Sequence, residues 1–124
     1  MATGLVLHEQ RRLARRELIY YLKVSDRRTG RELGRMGDIH AEGMLILSEK
    51  PLTAGAVYQA ALELPKASQT PGLKELFLKL EVLWSRPGPK NSSYHESGIR
   101  FLDIDDAQRA AIDDLIDLFA MPGY

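Results

Sequence analysis

The chain has 124 residues, 44% of them hydrophobic and 27% charged, with no net charge and no cysteine. That size and balance predict one globular domain able to bury roughly two-thirds of its unfolded surface, while the missing thiols exclude disulfides, thiolate zinc sites and cysteine nucleophiles. The sequence has no apolar leader and no run approaching a membrane span, so a cytoplasmic protein without membrane insertion is expected.

Residues 1–17 have little apolar patterning and end in arginines; they read as a basic arm ahead of a domain over residues 18–120. From Leu18 the pattern alternates. Leu18, Tyr20, Leu22 and Val24 fall on one face and Ile19, Tyr21 and Lys23 on the other, which predicts a strand. Ser25-Asp26-Arg27-Arg28-Thr29-Gly30 reads as a turn closed by glycine, and residues 31–38 as the returning strand of a hairpin. Residues 44–47 form a short apolar strand stopped at Pro51. Tyr58, Ala60, Leu62 and Leu64 alternate with polar or small residues up to Pro65, another strand, with Tyr58 and Tyr20 expected in the core. A loop over residues 66–73 follows.

The clearest strand runs from Leu76 through Leu78, Leu80 and Val82 to Trp84. This alternation predicts that Trp84 belongs to the core. Pro87-Gly88-Pro89 ends the strand, and residues 98–102 form the last one. The period then changes. Ala111, Ile112, Leu115, Ile116 and Phe119 stand at helical spacing, with Asp113, Asp114 and Asp117 facing away, and Asp105 with Gln108 three residues on forms a capping box. Short strands followed by one amphipathic helix predict a mostly β protein, a small barrel capped by a C-terminal helix.

Charge is segregated along the chain. Residues 11–35 hold nine basic and three acidic side chains, a local excess of +6, whereas residues 103–124 hold six aspartates and one arginine. The N-terminal quarter could therefore attract an anion; the alternative is a solvated basic face neutralised by the acidic tail. Arg11, Arg12, Arg15 and Arg16 supply guanidinium forks that grip phosphate bidentately and stack on purine faces, although an arginine-rich terminus is more commonly a solvated arm. Further on, Asp38-Ile39-His40-Ala41-Glu42-Gly43 puts a carboxylate at a strand end, able to accept from the paired N–H donors of a base edge. Its glycine allows either positive φ or a close backbone approach. Taken singly, Asp38, His40 and Gly43 are a turn aspartate, a surface histidine and a turn glycine.

In order, these two segments resemble the PilZ family. An R-x-x-x-R stands just before the first strand, and D-x-S-x-x-G follows about twenty residues later at the end of the second. The family pattern falls here on Arg12-Leu13-Ala14-Arg15-Arg16 and on residues 38–43. Leu62-Glu63-Leu64-Pro65, Val82-Leu83-Trp84 and Gly98-Ile99-Arg100-Phe101 are similar to PilZ sequences too. The resemblance implies a six-stranded antiparallel barrel with a C-terminal helix that binds cyclic di-GMP. It implies phosphate and guanine contacts from Arg12 and Arg16, with Arg11 completing the arginine pair, and base-edge reading at Asp38 beside Gly43. Arg11 with Arg15 gives a second register. His40 departs from the pattern, which has serine there.

The function expected is a cyclic di-GMP-binding regulatory module, with no other cofactor and no metal, that relays the signal to an unidentified protein effector. The alternative is a degenerate PilZ adaptor that mediates protein–protein interaction without nucleotide. Nucleic acid is a lesser candidate partner, because the tyrosines that could stack bases alternate like core residues. An enzyme is not expected: His8, His40 and His95 lack metal-ligand spacing, and Ser92-Ser93 lacks a nucleophile elbow.

Overall fold

The computed structural model describes residues 21–65, 73–90 and 92–120. Six strands are followed by one helix: β1 (Leu22–Asp26), β2 (Glu32–His40), β3 (Gly43–Ser48), β4 (Val57–Glu63), β5 (Glu75–Pro87), β6 (His95–Leu102) and α1 (Asp106–Phe119). Every neighbouring pair is antiparallel, and β1 closes on β4 to give a barrel in the order β1-β2-β3-β6-β5-β4. Among the described residues, closure leaves no free sheet edge to recruit another strand. The expected mostly β fold, a six-stranded antiparallel barrel with a C-terminal helix, is what forms.

Alternation selects the inner face. Val24, Met36, Ile46, Leu62, Leu80 and Ile99 contribute to one buried cluster from six different strands. Tyr58 is half-buried and packs against this cluster, as its place in β4 predicts; Tyr20 lies outside the described residues. One end of the barrel is covered by α1, whose Ala111, Ile112 and Leu115 are buried, with Ile116 and Phe119 packed beside them. The helix starts on the predicted capping box: the Asp105 carboxylate accepts from the Gln108 N–H at 2.8 Å, and the Gln108 side chain accepts from the Asp105 N–H at 2.8 Å. It runs 14 residues, and its apolar stripe needs the barrel beneath it because so short a helix is marginal alone. No helix among the described residues is long and apolar enough to cross a membrane.

Besides the register shift between Val24 and Ser25 in the β1–β2 pair, two bulges interrupt the alternation. In β2 the partners of Met36 and Asp38 are Ile46 and Leu45, so Gly37 is the extra residue. In β5, Val82 and Trp84 face Ile99 and Gly98, which makes Leu83 the extra residue. Each extra residue reverses the facing of everything beyond it. Trp84 is therefore 39% exposed rather than in the core. The strict alternation from Leu76 to Val82 holds, and the error lies in carrying it one residue too far.

Candidate functional site

The two bulges act on the same outer surface. Met36 points inward, and without Gly37 the alternation would send Asp38 and His40 inward too. With it, Ile39 is buried while Asp38 and His40 are exposed. Asp38 stands opposite Leu45, Leu45 opposite Gly98, and Gly98 opposite Trp84, giving one row across β2, β3, β6 and β5. The next row is His40, Gly43, Arg100 and Glu81. Asp38 and Trp84 are thus three strand spacings apart, about 14 Å between backbones.

Gly98 keeps the face low beside Trp84. A Cβ on Gly98 would lie 2.3 Å from the Trp84 Nε1, so the indole rests on the bare backbone there. Arg86 sits over the indole at 4.7 Å and pairs with Glu96 at 3.2 Å. Arg100 forms an ion pair with Glu81. Beside the row, Leu45 and Tyr21 pack against the buried pair Leu47 and Tyr94, a small apolar cluster outside the barrel wall. Burial chiefly, with Glu96 and then Tyr21 adding to it, raises the Tyr94 hydroxyl from 10.0 to about 12. Tyr21 is fixed again through its carbonyl, which accepts from Arg35 at 3.1 Å. Tyr21, the residue just before β1, therefore sits in the same small cluster as Leu45, the neighbour of Asp38.

A family model described as PilZ domain matches residues 10–118. The chain belongs to the PilZ domain family. The barrel is also similar to a solved structure titled "MrkH, A novel c-di-GMP dependence transcription regulatory factor", at a TM-score of 0.57 and 20% identity. That match covers 80% of this chain and 45% of the MrkH chain, so the chain spans less than half the length of that protein. No curated protein matches the sequence.

Of the PilZ motif residues expected from the sequence, Arg11, Arg12, Arg15 and Arg16 lie outside the described residues. Asp38, His40 and Gly43 come together at the β2–β3 hairpin. The Asp38 Oδ1 accepts from the Ile39 N–H at 2.9 Å. His40 replaces the PilZ serine; its Nδ1 accepts from the Glu42 N–H at 3.3 Å, so the imidazole is tied to its own turn. Gly43 does not have positive φ. Its close approach is to β6, since a Cβ there would lie 1.9 Å from the Ile99 carbonyl oxygen. This glycine brings the turn down onto the barrel wall.

The sequence reading missed two residues of this PilZ surface. Trp84 was assigned to the core, and only the bulge places it beside the motif. Arg109 was read as a lone base in an acidic tail, yet its Nη1 donates to the Ala41 carbonyl inside the motif turn. No local spacing signals that contact, because 68 residues separate the partners.

Proposed function

We propose that this chain is a cyclic di-GMP-responsive regulatory module, not an enzyme, acting in the cytoplasm and passing the bound state to a protein effector. The dinucleotide lies on the outer face of β2, β3, β6 and β5. Residues 1–17 form the arm that grips it, on a domain of residues 18–120. Arg12 and Arg16 hold phosphates and stack on guanine, with Arg11 beside them or with Arg11 and Arg15 in the alternative register. Asp38 accepts from a guanine edge, and Trp84 offers a flat apolar surface for a second base.

One observation carries this reading: Tyr21, five residues after Arg16, packs against the same Leu47–Tyr94 pair as Leu45, and Leu45 is the cross-strand neighbour of Asp38. Five residues span at most about 17 Å. Covalent connection alone therefore keeps Arg16 within reach of the Asp38 row. Family membership and the fold shared with a c-di-GMP-dependent regulator support the choice of ligand.

Calorimetric titration with cyclic di-GMP tests it. Wild type should bind, and Arg12→Ala or Arg16→Ala should each weaken binding by about 2–4 kcal/mol, the range for truncating one partner of a desolvated charge pair. Unchanged affinity in both, and in the Arg11→Ala/Arg15→Ala double variant, refutes the site. No heat from wild type at high excess refutes the ligand. It would favour the adaptor reading, for which the observation is His40 in place of the motif serine, already bonded to its own turn.

A further inference from the structure

The β2–β3 turn is a two-residue hairpin loop, with His40 paired to Gly43 across Ala41 and Glu42. Two-residue hairpins favour primed turns, because positive φ in the loop matches the twist of the flanking strands. Neither Ala41 nor Glu42 has positive φ; Asp103 is the one non-glycine residue that does among the described residues. The turn is therefore not in its intrinsically preferred form, and bonds from outside the loop must hold it. Three hydrogen bonds meet there. The His40 Nδ1 takes the Glu42 N–H, the Phe101 N–H donates to the Glu42 carbonyl at 2.9 Å, and the Arg109 guanidinium donates to the Ala41 carbonyl. The first comes from the hairpin itself and the second from the wall beside it. Arg109 alone reaches in from α1.

We infer that Arg109 is a positioning residue for the ligand-binding turn: α1 holds the Asp38-to-Gly43 hairpin in its unfavoured conformation through the Ala41 carbonyl. The bond lies at the surface, and it is charge-assisted and so stronger than a neutral one. Gln108, one residue before, donates to the Phe77 carbonyl at 2.8 Å on β5 and does not touch the turn. The two neighbours on α1 thus fasten the helix to different places. Losing Arg109 should loosen the turn, while losing Gln108 should loosen only the helix start.

The inference concerns the site proposed above, and its test has an arm that needs no ligand. Hydrogen exchange of the residue 41–44 amides is measured in the full chain for wild type, Arg109→Ala, Arg109→Lys and Gln108→Ala. The affinity for cyclic di-GMP is measured in parallel, well below each melting temperature. Arg109→Ala should speed exchange in the turn at least tenfold relative to the Leu78 and Leu80 amides, and weaken binding about tenfold. Arg109→Lys keeps a cationic donor and should recover part of both. Gln108→Ala should leave both near wild type even where it lowers stability as much. Equal effects from Arg109→Ala and Gln108→Ala would mean general loosening of the helix and would overturn the inference, as would unchanged exchange in Arg109→Ala. If wild type binds no cyclic di-GMP, the proposed function fails, yet the exchange comparison still decides the role of Arg109.

Discussion

The β1–β2 and β2–β3 turns sit at the two ends of the same strand and are held in opposite ways. The first is built mostly from its own residues. Asp26 accepts from the Arg28 N–H at 2.8 Å, Thr29 accepts from the Arg31 N–H at 3.2 Å, the Gly30 N–H donates to the Asp26 carbonyl at 2.7 Å, and Gly30 takes φ 77°. The second turn has no such glycine in its loop and borrows Phe101 from β6 and Arg109 from α1. A turn that meets its own needs can close early and stays closed alone. A turn held by distant groups follows the state of those groups.

The sharpest test of this contrast compares the two glycines. Gly43→Ala drives a Cβ into the Ile99 carbonyl, with a separation of 1.9 Å before relaxation, so β3 and β6 must part. Urea denaturation should show a loss of about 3 kcal/mol, the upper part of the usual range for overpacking. A loss under about 1 kcal/mol would mean that the turn does not depend on that close approach.

The same division between local and distant causes runs through β5. Trp84 lies past the Leu83 bulge and covers Gly98 while 39% exposed. Trp84→Ala should cost about 2 kcal/mol, roughly half of what a fully buried ring loses. Its fluorescence should be open to acrylamide in the free protein and protected by cyclic di-GMP. An emission spectrum typical of a buried indole, inaccessible to quencher, would restore the inward reading of the strand.

At the self-contained turn the effect should be smaller. A Cβ on Gly30 meets nothing within 4 Å, so Gly30→Ala carries only the conformational cost of φ 77°. That is about 1 kcal/mol. It should leave exchange in the β2–β3 turn unchanged, and a matching disturbance there would show that the two turns are coupled after all.

At neutral pH the smallest effect concerns Tyr94, in the cluster beside the Asp38 row. Its hydroxyl is raised from 10.0 to about 12, chiefly by burial. The folded state thus holds this proton more tightly than the unfolded chain does. The resulting stability is fully present below pH 10 and is lost as pH rises towards 12. Ultraviolet titration of wild type against Tyr94→Phe should assign one late phenolate to this residue. Ionisation near 10 would show that the cluster is open to water.

Much of the molecule is legible in the sequence. The capping box at Asp105 and Gln108, the glycine-closed hairpin at residues 25–30, and the alternation from Leu76 to Val82 depend on residues a few positions apart. The PilZ motif was legible too, as an ordered set of residue types, although its arginines lie outside the described residues. What failed was the facing of Trp84. Its cause is one residue of slippage against β6, and no residue near Trp84 records that slippage.

The sequence by itself determined the strands, the helix, the inward stripe and the residues that resemble a nucleotide motif, because periodicity and capping are properties of neighbouring side chains. Only the tertiary structure decided which of them share a surface. Bulges at Gly37 and Leu83 turn Asp38 and Trp84 outward in one row, and Arg109 crosses from α1 to hold the turn beneath them. A bulge is defined by two strands in register and a clamp by two elements in contact. Neither exists until the chain has closed on itself.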